Sequence, residues 1–122
     1  MKLHLTQAEG KQLITGYSQL WISVNHQRFE HSIIVLPNEI ISDWKIKDFN
    51  ALTTESFERL LPSKPEVILL GTGLQHRFIH PKVIASLTEA HIPVECMTTD
   101  AACRTYNILM AEGRQVAAAL IL

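Results

Sequence analysis

The sequence predicts an α/β fold in which an N-terminal antiparallel meander is followed by a βαβαβ unit. Apolar residues alternate in short runs over the first third of the chain, and strand-like and helix-like patterns alternate from residue 66. The chain then ends in the uncharged run QVAAALIL. Alternating strands and helices are typical of a sheet with parallel strands. A length of 122 residues suits one domain, so we expect residues 1–122 to form a single domain.

The meander is predicted from three runs of strand-forming residues. They cover residues 14–17, 21–25 and 32–36, with a polar turn near His26-Gln27 and a stop at Pro37. A looser stretch with Trp44 and Phe49 follows, and we expect it to cover the core. Next comes a predicted helix that starts at Thr53 and ends before two prolines, with an apolar face at i, i+3 and i+4: Phe57, Leu60 and Leu61.

The second half is predicted to run strand 67–70, helix 81–90, strand 94–97, helix 100–112 and strand 116–122. Pro81 suits a first helical turn, where its missing N–H costs nothing. Residues 98–100 can cap the last helix, and Gly113 can end it in a left-handed conformation. An exposed edge of the composition QVAAALIL would invite aggregation, so we expect the last strand to be central or covered.

Composition excludes several functional classes. The chain is 47% hydrophobic and 19% charged, with a formal net charge of −1, which favours neither disorder nor binding to nucleic acid. Residues 1–7 quickly become polar and lack the apolar run of a signal peptide or membrane span, so we expect a cytoplasmic protein without membrane insertion. Cys96 and Cys103 would then stay reduced and serve packing.

The segment GTGLQHRF, which follows the strand at 67–70, is open to two interpretations. Gly71 and Gly73 can form a tight corner, or their N–H groups, with those of the helix that starts near Thr98, can hold an anion. A phosphate loop of the Walker type needs a Lys-Ser/Thr pair that is missing here, and a dinucleotide fingerprint needs glycine where His76 stands. We therefore predict no cofactor and favour the corner, with an anion or small ligand as the alternative.

Parallel strands end at one side of a sheet, where ligands of open α/β folds bind. We call this side of the sheet the rim. Arg104 follows within the predicted helix and could add its guanidinium group to the rim. Asn107, three residues later, could share its helix face. In a purely structural interpretation, the polar side chains of RTYN, residues 104–107, anchor neighbouring loops. The candidate ligand or partner rim contains eight residues: Gly71, Thr72, Gly73, Gln75, Thr98, Thr99, Arg104 and Asn107.

No complete catalytic or metal constellation appears in the sequence. His76 and His80 have a spacing that metal sites use, but Pro81 places them in a loop and no further ligand follows at a suitable distance. There is no G-x-S-x-G elbow. We therefore predict neither catalytic residues nor a metal site.

The run LLGTG, with IPVECMTTDAACRTYNILMAEGRQVAAALIL after the next helix, resembles the Mth938-domain family, a domain of unknown function. The resemblance implies a three-layer α/β fold with a mixed central sheet whose closing strand is antiparallel to its neighbours. Eukaryotic members include a mitochondrial complex I assembly factor and a protein associated with adipogenesis. One departure is His91, where the family usually has glycine.

Two functions follow as hypotheses. The first is a non-enzymatic protein-interaction or assembly-factor module, which rests on the resemblance and on the missing catalytic constellation. The second is a protein that binds a small molecule or anion at the ends of the parallel strands, and such a protein could also be an enzyme. Under the second, Gly71, Gly73, Thr98 and Arg104 would hold the ligand.

Overall fold

Eight strands form two sheets in residues 10–122, the part of the chain that the computed structural model describes. The expectation about residues 1–7 lies outside these residues. The strands are β1 Ile14–Tyr17, β2 Ile22–Val24, β3 Gln27–Phe29, β4 Ile33–Leu36, β5 Glu39–Ile41, β6 Val67–Gly71, β7 Val94–Met97 and β8 Val116–Leu120. The helices are the 3₁₀-helices η1 Phe49–Ala51 and η2 Thr54–Leu60 and the α-helices α1 Ala85–Glu89 and α2 Thr99–Ala111.

The central sheet has five strands in the order β5-β4-β8-β6-β7 and is mixed. Strand β6 runs parallel to both β7 and β8, whereas β4 runs antiparallel to β8 and β5. The second sheet, β1-β2-β3, is antiparallel throughout. The predicted α/β class with a mixed central sheet is therefore confirmed.

Two apolar clusters cover the two faces of the central sheet and make the fold three-layered. Successive strand residues point to opposite faces, so Val116, Ala118 and Leu120 of β8 pack under α2 and the small sheet. Ala117, Ala119 and Ile121 pack on the other side against η2 and α1. All five residues of β8 are buried, which confirms that this uncharged strand is central.

The N-terminal prediction was wrong about where its third strand belongs. Strand β4 leaves the meander and pairs with β8 in the central sheet. The third strand of the small sheet is instead β3, which begins at Gln27 because Asn25 and His26 form the hairpin turn with left-handed φ values of 49° and 70°. The short strands β3, Gln-Arg-Phe, and β5, Glu-Ile-Ile, contain no alternation of apolar and polar residues that would predict them.

Three further predictions need correction. The residues from Pro81 to Ile84 form turns, and α1 starts only at Ala85. The helix after Thr53 is 3₁₀ rather than α, although it begins where expected, with the Thr53 N–H donating to the Ser56 hydroxyl at 2.9 Å. Strand β8 is antiparallel to β4 alone, since it runs parallel to β6. In contrast, β7 has its predicted bounds, and α2 differs from its prediction by one residue at each end.

His91 adopts the left-handed conformation, with φ at 61°, directly after α1. Histidine is one of the non-glycine residues that tolerate this region, at some cost in strain. The chain therefore keeps a glycine-like turn at this position without glycine.

Ala118 tests how closely the layers pack. It pairs with Val35 on one side and Leu69 on the other, and its side chain is completely buried. We expect Ala118→Leu to lower the free energy of unfolding by about 1–3 kcal/mol in urea titrations, since the extra carbons have no space. Ala85→Leu, at an exposed position of α1, should change it by less than about 0.5 kcal/mol. Equal stability of the two variants would contradict this packing.

Candidate functional site

The candidate rim lies where three parallel strands end on the same side of the central sheet. Gly71 pairs with Met97 of β7 and with Leu120 of β8. The loop after β6, the start of α2 and the residue after β8 therefore meet there. Sequence reasoning brought only two strand ends together, because the resemblance implied the opposite direction for β8.

Gly71 is required by the close approach of α2. A Cβ atom on Gly71 would lie 2.9 Å from the Cα of Thr99 and 2.9 Å from its Oγ1. Gly73 is different, because a Cβ atom there would meet nothing within 4 Å, but its φ is +98°. The first glycine makes room for a helix, and the second supplies a conformation that L-residues avoid.

Two buried threonine hydroxyls hold the rim together. The Oγ1 of Thr99 accepts from the Gly73 N–H at 2.9 Å and donates to the Ile121 carbonyl at 2.6 Å. The Oγ1 of Thr72 donates to the Gln75 carbonyl at 2.6 Å and accepts from the Arg77 N–H at 3.2 Å. These predicted rim groups therefore satisfy one another, which is the usual fate of buried polar groups.

The N-terminus of α2 already carries a carboxylate. Asp100 Oδ1 accepts from the Thr98 hydroxyl at 2.6 Å and from the Ala101 N–H at 2.9 Å. The Thr98 hydrogen bond, with smaller help from Ala101 and Arg104, holds the pKa of Asp100 below its usual range. A negative side chain at this position uses the field that would attract an external anion. The geometry thus disfavours the binding of an external anion at the start of α2.

Arg104 is turned toward groups of its own protein. Its Nη1 donates to the Tyr17 hydroxyl at 3.1 Å and lies 3.6 Å from Asp100 Oδ2. Both charged side chains are more than half exposed, so the pair adds little stability. Arg104 instead connects α2 to β1 across one wall of the rim.

Asn107 does not lie at the rim, and the prediction that placed it there needs correction. Its side-chain oxygen accepts from the Ile14 N–H at 2.9 Å, and its nitrogen donates to the Ile14 carbonyl at 2.8 Å. Tyr106 donates to the Gln12 carbonyl at 2.7 Å from a buried position. Tyr106 and Asn107 thus hold β1 and the segment before it against α2, in agreement with the structural interpretation of RTYN.

The open part of the rim is largely apolar. A cavity of about 290 Å³ separates the β1–β2 turn from the Gly73-Leu74 loop, and its floor includes Ile121. A shallower cleft of about 500 Å³ lies between that loop and the segment 47–50. Leu74 lines both openings and is 72% exposed. Leu20 and Phe78, each next in the chain to a lining residue, are 77% and 82% exposed.

The remaining candidates are structural. Cys103 is buried, and burial raises the pKa of its thiol to about 12, so it stays protonated. His76 stacks edge-on against Phe78, and His80 Nδ1 accepts from the Lys82 N–H at 3.1 Å. Within residues 10–122, no three His, Cys, Asp or Glu side chains are grouped closely enough to hold a metal ion.

Sequence reasoning missed the apolar side chains of the rim and its wall residue Tyr17. A usable signal was present, because Leu74 and Phe78 belong to no periodic segment and stand in a loop of Gly, Gln, His and Pro. Large apolar residues at such positions have no core to enter.

The model of a protein family of unknown function, DUF498/DUF598, matches residues 14–121. A mouse protein named NADH dehydrogenase [ubiquinone] 1 alpha subcomplex assembly factor 3 is 32% identical over 98% of this chain and 66% of its own length. A Francisella tularensis protein named 13 kDa major membrane protein is 29% identical over 80% of both chains. The chain thus spans slightly less than two thirds of the mouse relative.

Solved structures share the fold. The crystal structure of a Bordetella parapertussis protein has a TM-score of 0.86 and 36% identity, and the match covers 92% of this chain and 96% of that one. The solution structure of a Bordetella pertussis protein described as a Mth938-like domain has a TM-score of 0.81 and 31% identity, with 95% and 87% covered.

The two glycines predict different responses to an added methyl group. Gly71→Ala should lower the free energy of unfolding by about 3 kcal/mol, since α2 or β6 must move. Gly73→Ala should lower it by about 1 kcal/mol, through backbone strain alone. Urea titrations of both variants measure the difference. A Gly71 variant as stable as the natural chain would contradict the close approach of Thr99.

Proposed function

Because the chain belongs to the DUF498/DUF598 family and has a Mth938-like fold, we propose that it is a non-enzymatic protein-interaction module that assists the assembly of a multi-subunit complex. The observation that carries this proposal is the rim itself. Its buried hydroxyl groups are bound within the protein, and what remains accessible includes a cavity lined by the exposed side chain of Leu74. Such a surface suits a protein partner better than a polar substrate.

Relatives support the assembly role. The mouse, cattle and human relatives, at 30–33% identity, are all named as assembly factor 3 of the NADH dehydrogenase 1 alpha subcomplex. They are longer than this chain, so we carry over the type of activity and leave the identity of the complex open. An assembly factor needs binding surfaces rather than catalytic groups, in agreement with the rim.

The cavity beside Tyr17 is the part of the rim that we assign to the partner. A concave site can take up a protruding apolar side chain, which is how most interface hot spots work. Leu20, in the adjacent β1–β2 turn, is 77% exposed and would widen this contact. The Arg104 guanidinium, on Tyr17, adds a polar donor at the border.

The cellular setting is also a proposal. The described residues contain no helix that is long and apolar enough to cross a membrane. We propose a cytoplasmic location, and the Francisella relative named as a membrane protein supports a place beside a membrane. The formal net charge of −1 gives no support for a nucleic acid partner.

Affinity purification of the tagged chain tests the proposal. We expect a stoichiometric protein partner, and we expect Leu20→Glu to weaken its binding roughly thirtyfold, as a lost hot spot of about 2 kcal/mol would. Ile108→Glu, at an exposed apolar position of α2, is the control and should bind normally. In cells without the protein, native gels should show that the partner's complex remains in smaller subassemblies.

Two results would contradict the proposal. One is a partner that binds both variants equally well, since the β1–β2 turn beside the cavity would then take no part in binding. The other is complete assembly of the partner's complex in cells that lack the protein.

A further inference from the structure

The loop from residue 74 to residue 82, here called the apolar loop, holds two large apolar side chains in water. Leu74 is 72% exposed and Phe78 is 82% exposed. They stand four residues apart in one loop, outside the helices and strands. Single exposed apolar residues are ordinary, but two large ones on a short loop indicate a binding surface.

The charge of this region is one-sided. No Asp or Glu occurs between Glu66 and Glu89, whereas Arg77 and Lys82 both lie in the apolar loop. Both cations are exposed. Two pairs of opposite charge border the loop and offset each other: Lys47 with Asp48 across the adjacent cleft, and Arg104 with Asp100, which lines the cavity beside Leu74. The chain has a net charge of −1, so this local excess of positive charge is not a property of the whole surface.

The base of the apolar loop is held in place while its apolar side chains are not. The Thr72 hydroxyl donates to the Gln75 carbonyl and accepts from the Arg77 N–H. The Arg77 guanidinium lies 5.7 Å from the centre of the Phe49 ring. Phe78 contacts the His76 ring edge-on at 4.6 Å between ring centres and remains outside the core. The loop is therefore presented ready-formed, with little ordering needed on binding.

We propose that the apolar loop docks on the surface of a membrane that contains anionic lipids. Leu74 and Phe78 enter the boundary between headgroups and acyl chains, and Arg77 and Lys82 pair with lipid phosphates. Apolar side chains combined with nearby cations are what interfacial binding requires, since either signal alone gives weak, reversible attachment. That the protein works beside a membrane rests on the proposed function, whereas the choice of the docking surface rests on the exposed residues of the apolar loop.

A membrane fits this loop better than a second protein does. The cavity beside Tyr17 is concave and suits a protruding side chain, whereas the apolar loop exposes both of its large apolar side chains, although Leu74 also lines that cavity. A flat, deformable and negatively charged surface accepts projecting apolar and cationic groups without a matching pocket. An acidic protein groove would instead bind the loop in the absence of lipid.

Sedimentation with lipid vesicles tests the proposal on the full chain. The vesicles contain phosphatidylcholine alone or phosphatidylcholine and phosphatidylglycerol in a two-to-one ratio. We expect about twenty-fivefold stronger partitioning onto the mixed vesicles, since each of the two cations contributes about fivefold near an anionic surface. Added salt should weaken this preference, because it screens the exposed charges.

Substitutions in the apolar loop test whether this loop is the part of the protein that contacts the vesicles. The double variant Leu74→Glu with Phe78→Glu should sediment no more than it does in tubes without vesicles. Arg77→Gln should reduce vesicle binding about fivefold. Ile108→Glu places the same charge at another exposed apolar position and should bind as the natural chain does. Thermal melts of each variant exclude unfolding as the cause.

Three results would overturn the proposal: no binding to the mixed vesicles, binding that the double variant retains, or equal loss in Ile108→Glu. Because the vesicles contain no protein, such a failure leaves the assembly role standing. Conversely, vesicle binding in a chain that captures no partner would refute the assembly role alone.

Discussion

The arrangement of the rim depends on the Thr99 hydroxyl, which connects the loop after β6 to the residue after β8. It accepts from Gly73 and donates to Ile121, and it lies at the first residue of α2. The contact is possible only because Gly71 has no side chain, since a Cβ atom there would reach Thr99. One threonine thus determines how closely α2 approaches three parallel strand ends, and the glycine at the end of β6 allows it.

This constraint has a functional consequence. The hydrogen-bonding groups that make other α/β rims good ligand sites are used here within the protein, and Asp100 places its own negative charge at the start of α2. What remains accessible is largely apolar: a cavity beside Tyr17 and the side chains of Leu74 and Phe78. A family with relatives named as assembly factors is consistent with a rim that offers contact area rather than chemistry.

The sequence predicted the elements whose pattern extends over several residues. Strand β7, helix α2 and the central position of β8 could be predicted because apolar periodicity, capping residues and missing charge all act locally. Strand β3 contains no alternation of apolar and polar residues, so no local pattern predicts it. The departure of β4 from the meander depends on its pairing with β8, near the other end of the chain. Asn107 was misplaced for the same reason, because its partner Ile14 lies 93 residues away.

Replacement of Thr99 by valine is the most direct test of the claim that the Thr99 hydroxyl holds the rim together. Valine keeps the shape of the side chain and replaces its hydroxyl with a methyl group. We predict that the free energy of unfolding falls by about 1–3 kcal/mol, since the Gly73 N–H and the Ile121 carbonyl lose their partner. We also predict faster hydrogen exchange of the Gly73 amide. Unchanged stability and unchanged exchange at Gly73 would contradict the account.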